Sequence, residues 1–159
     1  NAAPMTADQA NIIKSTWAQV KNNEVDILAA IFKAYPDIQA RFPAFVGKDL
    51  DSIKGSAAFA LHATRIVSFM SEVIGLMGDM ANCAAIKTMM NSMANNHKNR
   101  GIPKAQFTEF RTAMMSYMKD HVSGWNDNVA ATWTSAMDHH FAVIFGVLDG
   151  KPVDCPCGN

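Results

Sequence analysis

Charge is scarce in this chain. Charged residues make up 18% of its 159 positions, against about a quarter in an ordinary soluble domain. Lys plus Arg and Asp plus Glu balance at 14 each. A zero net charge leaves no basic field to attract nucleic acid or an anionic lipid surface, and little self-repulsion to oppose weak self-association. Long apolar runs are missing too, and nothing approaches the ~20 consecutive residues that span a bilayer. No Asn-x-Ser/Thr sequon occurs, so N-glycosylation is not expected. A basic leader followed by an apolar core is absent, and the chain opens on Asn1, which fits a mature secreted protein already trimmed. Cysteine is limited to Cys83, Cys155 and Cys157. The odd count leaves one thiol over, and Cys155-Pro156-Cys157 has no further Cys/His cluster to complete a tetrahedral metal set. The tail thiols read as accessible, or one of them as bonded to Cys83 or to another chain. Period-2 alternation, the mark of a strand, is not found.

What is present is helical periodicity almost throughout. A chain of this length buries roughly 70% of its unfolded surface as one domain and needs no staples. Thr6 and Gln9 have capping-box spacing and open a helix with Ile13, Trp17 and Val20 on its apolar face. Asn22-Asn23 interrupts it. A second helix presents Leu28, Ile31, Phe32 and Tyr35. Pro36 sits where a first-turn proline is tolerated, starting a short helix that ends near Phe42-Pro43. After a connector over 43–52, Ser52 is the expected cap of a long helix, 53–76, ended by Gly75 and Gly78. A Met-rich helix of about 84–97 follows. A long one from Pro103 carries Phe107, Phe110, Met114, Tyr117 and His121, and Gly124 and Asn126 end it. The last, about 127–148, carries Trp133, Met137, Phe141, Ile144 and Leu148. Residues 149–159 form a Cys/Pro-containing tail. The expectation is an all-α fold of six to seven helices, six substantial and a short third one, crossing steeply around a pocket.

Two histidines stand out. His62 shares a helical face with Ile66, Phe69 and Val73, and His97 shares one with Ile86, Met90 and Met93, 35 residues further on. A histidine alone on an apolar face is ordinarily a satisfied core residue. Two opposed helices, each pointing an imidazole into an apolar slot, are what is needed to hold a haem iron from one side and manage a gas ligand on the other. Met90 and Met93 lie on the same face as His97 and cannot reach the opposite side of an iron, so the methionines read as core filling. His121 falls at a helix end, where partial positive charge suits the dipole. Of the adjacent His139 and His140, at most one points inward, and either could act as a pH-sensitive group.

The run Arg41-Phe42-Pro43-Ala44-Phe45-Val46-Gly47-Lys48-Asp49-Leu50-Asp51-Ser52-Ile53-Lys54-Gly55, continuing through Phe59, His62, Ala63, Arg65, Ile66 and Val67, resembles the globin family, most of all the haemoglobins of midge larvae. His97-Lys98-x-Arg100-Gly101, Phe110-Arg111 with Tyr117-Met118-Lys119, and Trp17 in the first helix extend the resemblance over roughly 6–148. It implies a globin fold around haem b and one globin domain over 1–148, with 1–5 as an N-terminal extension and 149–159 as a tail. Carried over residue by residue, His97 is the proximal iron ligand and His62 the distal histidine, a possible sixth ligand. Phe42 stacks on the porphyrin, Phe45 and Leu28 close the distal side, and Ile66 lies one turn along it. Arg65 is near the pocket mouth, and Met93 and Ile102 pack beneath the haem. One departure is plain: the segment between His62 and His97 is longer than globins usually have, with the surplus around Met77 to Thr88.

The resemblance further implies reversible oxygen binding for transport or storage in an extracellular, haemolymph-type fluid, by a monomer or weak homodimer that is not an enzyme and engages neither nucleic acid nor membrane. The second nitrogen of His97 is expected to donate to a backbone carbonyl or hydroxyl, and an N–H of His62 to donate to the oxygen ligand or another diatomic gas. The rivals are an enzymatic globin acting on nitric oxide or peroxide, a six-coordinate protein used in sensing or electron transfer, and a haem-free carrier of apolar ligands.

Overall fold

The structure, a computed structural model, describes residues 5–152. Among them are eight α-helices and no strand: α1 (Ala7–Val20), α2 (Glu24–Ala34), α3 (Pro36–Gln39), α4 (Leu50–Ile53), α5 (Ala57–Leu76), α6 (Cys83–Asn99), α7 (Lys104–His121) and α8 (Asp127–Leu148), with a 3₁₀ turn over Met80–Asn82. Six are long and two are single turns.

The ends of the helices follow their caps. The Thr6 hydroxyl accepts from Gln9 N while the Gln9 side chain accepts from Thr6 N, closing the box that starts α1. Asn126 caps α8 by accepting from Val129 N. One boundary differs from the sequence expectation. The long helix does not begin at 53 under Ser52. Ser52 lies inside α4, where its hydroxyl donates to Asp49 O at 2.6 Å. Ser56, in extended backbone, accepts from Phe59 N and starts α5. Two serines four residues apart both suit an N-cap, and the chain turns at Lys54 and Gly55 between them. The surplus between the two histidines resolves into Gly78 at φ +89°, the 3₁₀ turn and an α6 that begins at Cys83. Cys83 is disulfide-bonded; Cys155 and Cys157 lie outside the described residues.

Packing is by crossing helices. α6 rests chiefly on α8, α2 crosses α5 and α7, and α1 lies against α8. At the α1–α8 contact the Trp17 and Trp133 rings sit 6.3 Å apart. Trp133 Nε1 donates to Thr16 Oγ1 and Trp17 Nε1 to Ser71 Oγ, each at 2.9 Å, so neither indole N–H is left unpaired, a defect that costs about 1–3 kcal/mol when buried. By contrast α5 and α6, which carry His62 and His97, touch each other only lightly. Among the described residues α5 alone is long and apolar enough to cross a membrane, by length and composition, and 28% of that stretch is buried. The face that carries His62 is part of what stays half-covered.

Candidate functional site

Two sets of residues assemble around the two histidines. On α5, His62 is half-buried and meets two phenylalanine rings edge-on: Phe42 at 5.2 Å and 81°, Phe45 at 5.5 Å and 80°. Those rings are held in turn by Phe32 of α2, which lies 5.2 Å from Phe42, 6.2 Å from Phe45 and 5.7 Å from Phe59. Burial pushes the His62 pKa below its ordinary value, and the Arg65 guanidinium adds to the effect, so the ring is neutral at neutral pH. Arg65 is exposed one turn on, and Ile66 is half-buried. Leu28 is 2% exposed in the aromatic core beneath.

The second set surrounds His97, near the end of α6. Its Nδ1 lies 2.8 Å from Met93 O. A carbonyl can only accept, so Nδ1 carries the hydrogen and Nε2 keeps its lone pair. Burial lowers the His97 pKa most, the Met93 bond works against this, and Arg100 lowers it further. Phe107 of α7 lies 5.3 Å from the His97 ring, and Ile102 is tied back by its N–H to His97 O at 3.1 Å.

The expected residues therefore fall into two groups: Phe42, Phe45, His62 and Ile66 on one side, Met93, His97 and Ile102 on the other. No ring contact or hydrogen bond joins one group to the other among the described residues. Large apolar side chains on α5, α6 and α7, including Phe69, Met70, Met93 and Phe110, are half-buried rather than buried. Phe32 and Phe107 were legible in the sequence only as helix-face residues. Their place beside the site depends on which helices cross. Met93 contributes through its carbonyl as well as its side chain, four residues before the histidine it orients. His121 ends α7 as expected, its Nδ1 2.8 Å from Tyr117 O. Both histidines of the adjacent pair on α8 are half-buried, and burial, with His139 beside it, pushes the His140 pKa down to about 4.

These features define a class: all-helical proteins with a half-buried apolar surface and a half-buried histidine on each of two long helices. Residues 25–144 match the family model described as Globin. The chain is 59% identical over 147 residues to globin CTT-V of Chironomus thummi piger, covering 92% of this chain and 90% of that one. It is 60% identical to globin CTT-VIIB-7 of the same organism, covering 93% and 91%. Its structure is similar to that of a haemoglobin component, TA-VII, from Tokunagayusurika akamusi, with a TM-score of 0.89 at 45% identity over 92% of this chain and 98% of that one. The chain belongs to the globin family.

Proposed function

We propose that this protein binds oxygen reversibly at haem b, with His97 as the proximal iron ligand and His62 as the distal group. It serves as an extracellular carrier or store, a monomer or weak homodimer rather than an enzyme. When bound, haem would supply a ferrous iron able to take a nitrogen from His97 and a diatomic gas molecule beside His62.

The observation that carries this reading is the His97 Nδ1 bond to Met93 O at 2.8 Å. It fixes the tautomer in which Nε2 is free to ligate, and it makes that nitrogen a stronger donor. The half-buried apolar side chains fit a porphyrin face, whose burial contributes roughly 25 cal/mol per Å² before the costs of association. On the other side, the neutral His62 ring has one N–H to donate, and a hydrogen bond to a partly charged ligand contributes about 1.5–3 kcal/mol. Phe42, Phe45, Leu28 and Ile66 keep water from the ligand position, and Arg65 stands at its mouth. Met93 and Ile102 support the proximal face. One globin domain over 1–148, with the tail outside it, accommodates all of these residues.

The test is spectroscopic. Purified protein should show a broad five-coordinate deoxy band and bind oxygen reversibly. The His97→Gly variant should lose haem or require added imidazole to keep it. Two sharp deoxy bands would mean that both histidines ligate, and a colourless protein would remove haem altogether.

A further inference from the structure

We propose that Gln39 is the positioning residue of the distal side: its single amide group fastens the loop at 43–49 so that Phe45 holds the His62 ring. This rests on His62 being the ligand-facing histidine.

Gln39 ends α3 and is 8% exposed, one of three buried polar residues among the described residues, together with Thr16 and Thr132. The two threonines bond back to carbonyls of their own helices. Gln39 reaches outward instead. Its Nε2 donates to Phe45 O at 3.0 Å and to Lys48 O at 2.8 Å. A primary amide has two N–H donors, and both are spent on one loop. The loop has little else to fix it: Phe45 N and Val46 N close a turn on Phe42 O, and Lys48 N reaches Phe45 O at 3.2 Å. Among the described residues Lys48 O accepts from Gln39 alone.

What the loop carries is Phe45, 2% exposed, whose ring meets Phe42, Phe59 and His62 at 6.0, 5.6 and 5.5 Å. The His62 ring makes no hydrogen bond among the described residues, so the Phe42 and Phe45 edges are what orient it. Packing supports Phe45 on the inside. On its other side the loop borders an open depression of about 470 Å³, lined by Phe45, Lys48, Ile53, Ser56 and Ala58 among others. A buried side chain carried on a loop that borders open space moves outward if the loop does. The Gln39 bonds oppose that movement, so Gln39 sets the angle of a histidine it does not touch.

Gln39→Leu keeps the bulk and removes both donors. In the haem-loaded protein, amide exchange over 46–50 should speed up about tenfold or more, as expected when a bond of about 1.4 kcal/mol is lost. Oxygen dissociation should rise several-fold, and the infrared stretch of bound carbon monoxide should shift or split as His62 loses its fixed orientation. Phe45→Leu leaves the Gln39 bonds in place and should reproduce the kinetic and infrared changes without the exchange change. If Gln39→Leu does not fold, Gln39→Met, similar in length and without donors, takes its place with the same expected outcomes. A Gln39 variant with faster loop exchange but unchanged kinetics and infrared band, while His62→Val alters both, would overturn the proposal and leave the oxygen-binding reading intact. If His62→Val also changes nothing, the reading of His62 fails and the proposal with it.

Discussion

His140 offers the sharpest test of how this fold handles charge. On α8 the buried residues are Val129, Thr132, Trp133, Ala136, Met137, Val143, Ile144 and Val147. Position 140 completes that stripe at steps of three and four. Burial there, with the neighbouring His139 as a smaller cause, holds the His140 pKa at about 4 against an ordinary value of 6.5. In the unfolded chain the ring takes up a proton as pH falls through 6.5, while in the folded chain it does not until about 4. Between those values the unfolded state binds more protons, so stability rises with pH and is lost on acidification. The loss approaches about 1.4 kcal/mol per pH unit across the window. Discounted for the half-burial of the ring, the sum is on the order of 2–3 kcal/mol. Above 6.5 the ring is neutral in both states and contributes nothing to the pH dependence.

The perturbation is His140→Phe, which keeps a flat ring in the stripe and cannot titrate. Denaturant unfolding of the cyanide-ligated ferric protein, followed by circular dichroism at several pH values from neutral down to about 4.5, gives the variant-minus-parent difference. Haem release and the other histidines are common to both chains and largely cancel. The difference should be flat at and above neutrality and then grow in favour of the variant by about 2 kcal/mol at the acid end. A difference that stays flat across the whole range would show that His140 is not held neutral, and the argument from its place in the stripe would fail.

Three further outcomes are expected. His62→Val should speed oxygen release and autoxidation by roughly tenfold to a hundredfold, the equivalent of a hydrogen bond of about 1.5–3 kcal/mol; stopped-flow release rates check this, and unchanged rates would assign the ligand contact to another group such as Arg65. Gly78→Ala should cost about 2–4 kcal/mol, because the backbone there is at φ +89° and a new Cβ would lie 2.6 Å from that of Ala10. Thermal unfolding measures it, with Ala10→Gly in the same chain recovering the part due to overlap. Thr16→Val should cost about 1–3 kcal/mol by leaving the Trp133 N–H without an acceptor, and Thr16→Ser should cost much less; equal melting points for the two variants would show that the bond has no net effect.

The sequence and the structure divide along a physical line. The six long helices, the short α3, their order and inner faces were legible because periodicity and caps are local: Thr6 with Gln9, Pro36 at a first turn, and the apolar stripes of α5 and α8 need no neighbours to be recognised; the single turn α4 fell where a connector was expected. The two histidines were legible for the same reason, as residues on faces, and the resemblance supplied their expected roles and that of Phe42, which lies outside the helices. The choice between Ser52 and Ser56 as a cap was not, since both suit the position and only the extended backbone at Ser56 and its bond to Phe59 N separate them.

What lay beyond the sequence depends on groups brought close by folding. Phe32 and Phe107 became neighbours of the site only when α2 crossed α5 and α7 met the end of α6. The Gln39 amide reached its two carbonyls only when the loop curled back over it. His140 acquired its lowered pKa from burial, a property of the assembled core and not of the residue. The chain's own pattern thus determined which helices form and which faces turn inward, because those follow from spacing along one strand of covalent bonds. Tertiary structure decided which side chain orients which, because desolvation and hydrogen-bond geometry exist only between segments that have already met.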